Sequence, residues 1–99
     1  MTKVRMIADL PTAEVFLSTD FEVRIPETAE DIEAELRQAI REEIPLIFIT
    51  EVLAEPIQEQ ILEMQLKYPA VITVIPGVEG SRKLGEQLVM RLKKSVIGV

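Results

Sequence analysis

Leu46-Ile47-Phe48-Ile49-Thr50 is the stretch that decides the fold. Pro45 bars a helix from running into it. The run LIFIT is apolar on both alternating faces, whereas a strand with one wet face would alternate apolar and polar residues. An unbroken apolar run of this length suits the middle of a parallel sheet, with helices on each side. The expectation is a fully buried central strand.

Working toward the amino terminus, Thr28 to Glu43 reads as a helix, with Ile32, Leu36, Ala39 and Ile40 at i, i+4, i+7 and i+8. Acidic residues cluster in its first turns, where the helix dipole favours them, and Thr28 with Asp31 resembles a capping box. Before it, Phe21 to Ile25 (FEVRI) alternates apolar and charged residues, the pattern of a strand at a sheet edge, and Pro26 stops it. Thr12 to Leu17 suits a short helix capped by Thr12 or Asp9, and Val4 to Ala8 suits a first strand.

Toward the carboxyl terminus, Glu55 to Lys67 reads as a helix with Pro56 in its first turn and Ile57, Ile61 and Met64 on one stripe. Leu62 and Leu66 lie off that stripe, which suits a helix covered on more than one side. Ala70 to Ile75 follows as a strand closed by Pro76-Gly77, and Ser81 to Ile97 as a last helix with Leu84, Leu88, Leu92 and Val96 four residues apart and Val89 beside them. The order is that of an α/β protein: a small open sheet of four parallel strands flanked by helices, with right-handed crossovers, and one further helix at the carboxyl end. The division expected is an α/β globular domain over residues 1–80 and an amphipathic basic helix over 81–99.

With 99 residues, 47% of them hydrophobic, the chain can bury roughly 60 to 70% of its unfolded surface and fold as one small domain. It has no cysteine and no histidine, which removes disulfides, thiolate chemistry, sulfur-based zinc sites and histidine triads. A net charge of -6 and 4% aromatic residues argue against nucleic-acid binding, which needs cationic surface and often stacking platforms. The opening MTKVRMIADL is too short in apolar residues for a secretory signal, and no run approaches the roughly 20 needed to span a bilayer, so the reading is a soluble cytosolic protein.

Charge is unevenly spread. Residues 1–81 hold six basic against sixteen acidic side chains, a net of -10; residues 82–99 hold five basic (Arg82, Lys83, Arg91, Lys93, Lys94) against Glu86 alone, a net of +4. A basic amphipathic terminal helix can fold back on the acidic body, lie on anionic lipid or dock on a partner helix. Gly85 favours docking, because a glycine inside a helix costs about 1 kcal/mol and is tolerated where another backbone comes close.

In open parallel sheets ligands gather at the carboxyl ends of the strands, here Asp9, Thr50, Glu51 and the Pro76-Gly77 turn. A magnesium or phosphoacceptor centre would want an aspartate after the central strand and a lysine after a later one. Glu51 follows LIFIT instead, and after AVITVIP no lysine occurs until Lys83. The plain reading makes Asp9 a cap and Glu51 a helix-start acid. PGVEGS matches neither phosphate-loop nor dinucleotide fingerprint, which leaves nucleotide binding unsupported, and the four scattered methionines read as filler.

IADLPTAEVF (Ile7 to Phe16), LIFITEVLAEPI (Leu46 to Ile57), VITVIPGVEGS (Val71 to Ser81) and RLKKSVIGV (Arg91 to Val99), taken in order, resemble the F subunit of the V-type and A-type rotary ATPases. The likeness covers nearly the whole chain. One stretch departs: a GFRLAG-like segment common in the family reads Val15, Phe16, Leu17, Ser18, Thr19 and Asp20 here, keeping only Phe16. The resemblance implies a receiver-like domain whose carboxyl-terminal helix packs along the coiled-coil D subunit of the central stalk and turns with it inside the catalytic A/B hexamer. It implies no active site, cofactor or metal of the chain's own, and a cytoplasmic place peripheral to the membrane. Leu84, Leu88, Val89, Leu92 and Val96 would then line the contact, with Arg91, Lys93 and Lys94 meeting acidic residues of the partner. The readings that compete with it are a stand-alone receiver-like signalling or ligand-binding domain, and a domain with a self-packed tail.

Overall fold

A computed structural model describes residues 3–17 and 19–78. Four strands, β1 (Val4–Ile7), β2 (Glu22–Arg24), β3 (Leu46–Thr50) and β4 (Val71–Ile75), pair in the order β2-β1-β3-β4, parallel throughout. The LIFIT strand therefore lies inside the sheet, with Ile47 to Thr50 buried and Leu46 half-buried, and FEVRI supplies an edge. The expected terminal helix Ser81 to Ile97 lies outside the described residues, as do Leu84, Leu88, Val89, Arg91, Leu92, Lys93, Lys94 and Val96.

Alternation along the strands makes two apolar layers. On one face Ile7, Ile47 and Ile49 meet Ile32, Leu36 and Ala39 of helix α2 (Ala29–Arg41) and Ile57 and Met64 from the third helical segment. On the other, Val4, Met6, Phe48 and Ile75 meet Ala13 and Phe16 of helix α1 (Leu10–Phe16). Phe16 is fully buried, its ring 5.8 Å from that of Phe21, so the one aromatic kept in the divergent stretch anchors this layer.

Local chemistry explains the helix ends. Thr28 caps α2, its hydroxyl accepting from the Asp31 N–H at 3.0 Å. At the other end the Ile44 N–H reaches the Ala39 carbonyl and the Glu43 N–H that of Ile40, both at 3.0 Å, a Schellman closure that places Glu43 at φ 59°.

The third helix differs from expectation. Its first turn, α3 (Glu51–Ala54), leaves β3 directly, and Glu55–Ile57 forms a 3-10 turn before α4 (Gln58–Lys67). Pro56 has no N–H to give the carbonyl four residues back, so the α ladder breaks there. Leu62 and Leu66, off the buried stripe, are 62% and 80% exposed, on a side of the helix whose covering the sequence would leave to a larger assembly.

Candidate functional site

The order in which strands are added to the sheet reverses between β1 and β3, the chain going first to β2 on one side of β1 and then to β3 on the other, with every strand parallel. Their carboxyl ends form the crevice in which open parallel sheets bind ligands. Asp9 leaves β1 and caps α1, its Oδ2 accepting from the Thr12 backbone N–H at 3.4 Å and the Thr12 hydroxyl at 3.2 Å. The Asp9 N–H donates to Thr50 Oγ1 at 3.4 Å, joining the ends of β1 and β3. Beyond β4, the Val78 N–H donates to Thr12 Oγ1 at 3.2 Å, and Val78 is 3% exposed.

Three of the features expected at this end are thus brought together: Asp9, Thr50 and the Pro76-Gly77 turn. Thr12, fully buried, is the hub that sequence reasoning treated only as an alternative cap. Glu51 opens α3, as a helix-start acid should, and lines a groove beside β4 instead of joining Asp9. Asp9 Oδ1 is buried without a hydrogen-bond partner. Every other polar atom named here is engaged by the protein itself, in a latch that ties the exit of β4 to α1. Among the described residues no group of three or more acidic side chains is placed to hold a metal ion.

The clefts lie elsewhere. One, of about 510 Å³, sits at the opposite end of the strands between Ile40, Pro45, Tyr68 and Ala70. Another, of about 570 Å³, runs between α4 and β4.

Among the described residues the most strongly shifted groups serve the fold. Arg5, fully buried on β1, forms ion pairs with Glu22 of β2 and, at 2.9 Å, with Glu42 at the end of α2. Hydrogen bonds from Arg5 and then Gln38 hold the Glu42 carboxyl at about 2, below its usual 4.5. Burial would lower the Arg5 pKa, but its hydrogen bond to Glu42 and the charges of both glutamates more than offset this and raise it. Nothing in the run VRMIA marked Arg5 as the centre of this network; an arginine inside an apolar strand was the only signal.

No helix among the described residues is long and apolar enough to cross a membrane. Residues 4–94 match the model of a family described as ATP synthase (F/14-kDa) subunit. No curated protein matches the chain.

Proposed function

The chain belongs to the ATP synthase (F/14-kDa) subunit family, and we propose on that premise that it is a non-catalytic rotor subunit of a V-type or A-type rotary ATPase. It binds the coiled-coil D subunit of the central stalk and thereby helps couple ATP hydrolysis or synthesis to proton or sodium transport. Its place is cytoplasmic and peripheral to the membrane, within the complex. Chemistry belongs to the A/B hexamer; this chain brings no cofactor.

The observation that carries the reading is the division of charge, -10 over residues 1–81 and +4 over 82–99, with aliphatic residues four apart in the basic part. Leu84, Leu88, Val89, Leu92 and Val96 supply the apolar contact. Arg91, Lys93 and Lys94 meet acidic groups of the partner and add register and association rate more than affinity. Each buried aliphatic side chain contributes roughly 1.5 to 3 kcal/mol before ordering costs. The Thr12 latch supports this division of labour, since it fixes Val78, from which the basic segment continues.

The test is Leu88→Asp in the full chain, beside a chain ending at residue 81. Both should fold, by circular dichroism, and both should lose stable association with the coiled-coil stalk partner in a purified mixture. Undiminished association of either would overturn the reading. The stand-alone signalling alternative requires ligand-dependent NMR shifts at Asp9, Thr50 and Glu51 across a panel of nucleotides and acyl phosphates.

A further inference from the structure

From the groove between α4 and β4, we infer a second docking surface on this chain, whose occupant is a basic amphipathic helix of another subunit. The groove, of about 570 Å³, has an apolar floor of Ile61, Ile72 and Val74 and an apolar wall at Leu62. One turn on from Leu62, Leu66 is 80% exposed, so the apolar strip climbs out of the groove along the outer side of α4. Isolated exposed leucines need no explanation, but two in register beside an open apolar cleft form a surface that water covers poorly.

The charge around this strip sets the chemistry of its occupant. Glu51, Glu55, Glu59 and Glu63 follow one another at intervals of four, all exposed. Glu51 and Glu55 line the groove, while on α4 the turn of 100° per residue places Glu59 and Glu63 just beyond Leu66. None of the four forms an ion pair among the described residues. Aliphatic side chains flanked by lysine or arginine would fill the strip and meet both acidic margins.

Gln65 decides between a helix and a strand. Its Nε2 donates to the Ala70 carbonyl and its Oε1 accepts from the Ile72 N–H, each at 2.8 Å. The side-chain amide thus occupies the outer edge of β4 where an added strand would begin, and β-augmentation there would have to break both bonds. A helix laid against the strip disturbs neither.

Two other occupants fit less well. A second copy carries a net charge of -6, and its body over residues 1–81 one of -10, so that body would meet the acidic groove with like charge. Val78, the last described residue before the chain's own basic segment, is held by Thr12 on the α1 side of the sheet, whereas the groove opens on the α4 side.

The inference uses assembly in the complex and is independent of the carboxyl-terminal contact. The test places a photo-crosslinking benzoylphenylalanine at Leu66 of the full chain within the assembled complex and maps the joined peptide by mass spectrometry. The expected product lies in a lysine- or arginine-flanked amphipathic helix of another subunit. Its yield should fall about tenfold with Glu59→Lys plus Glu63→Lys, and should fall with rising salt. Crosslinking to a second copy, to residues 79–99 of the same chain or to a segment without basic residues would overturn the inference, as would a yield indifferent to the charge reversal or no crosslink. Recovery of the complex, scored before irradiation, reports on the proposed function; the mapped peptide reports on the groove.

Discussion

Glu43 sits at φ 59°, a conformation that costs an L-residue about 1 to 2 kcal/mol and glycine almost nothing. The position is dictated by the closure of α2, whose last carbonyls are met by the N–H groups of Glu43 and Ile44. The Glu43 side chain is exposed and makes no ion pair among the described residues, so glycine there gives up no contact. Glu43→Gly should raise stability by about 1 kcal/mol, read as a higher urea midpoint with an unchanged slope. A lower midpoint would mean that the side chain contributes something the geometry does not show. No residue type at 43 announces this turn, because glutamate is a helix former; only the neighbouring Pro45 hints that the helix must end. At Asp9 the sequence was more informative, since a short polar side chain just before Pro11 is an ordinary way to start a helix.

Between elements, Gln65 shows how α4 protects an edge strand. Its amide serves the Ala70 carbonyl and the Ile72 N–H, standing in for the backbone of an absent neighbour. Gln65→Ala should cost about 1 to 2 kcal/mol, two modest hydrogen bonds at a partly wet edge, and should speed hydrogen exchange at the Ile72 amide. Gln65→Glu should fall between, since a carboxylate can accept from Ile72 but cannot donate to Ala70. Equal exchange rates in all three proteins would remove the edge-cap role. The strand AVITVI was legible from its β-branched run, and the helix before it from Ile57, Ile61 and Met64. Their mutual fastening was not, because periodicity locates faces and says nothing of which polar side chain reaches across a loop. The break at Pro56 was half legible: a proline suits a first helical turn, yet the helical turn that precedes it grows directly from β3.

For the whole molecule, Arg5 ties β1 to β2 and to the end of α2, from a fully buried position. Removing both counter-charges would leave a buried cation uncompensated, which costs more than the pair contributes. Glu42, whose pKa is depressed to about 2 from 4.5, contributes stability that is present above pH 4.5 and is lost as pH falls toward 2. Glu42→Gln should therefore flatten the acid limb of the stability profile between those two values, measured by urea unfolding at stepped pH. An acid limb as steep as in the parent chain would place the effect on other carboxyls. Neutralising Glu22 as well should destabilise further, and Arg5→Met on that background should restore much of the loss.

The sequence by itself determined the class of fold, because an apolar run at LIFIT, alternation at FEVRI and stripes of period 3.6 each bind a segment to one environment. It also determined the electrical division of the chain, which needs only counting. The family likeness was legible from ordered local motifs, and the match over residues 4–94 bears it out. Only the tertiary structure decided that Thr12 links Asp9 to Val78 at the strand ends, that Arg5 gathers two distant glutamates, and that Leu62 and Leu66 face outward beside an acidic groove. Those facts depend on distances between residues far apart in the chain, 66 positions for Thr12 and Val78 and 37 for Arg5 and Glu42, and such distances exist only once the layers have packed.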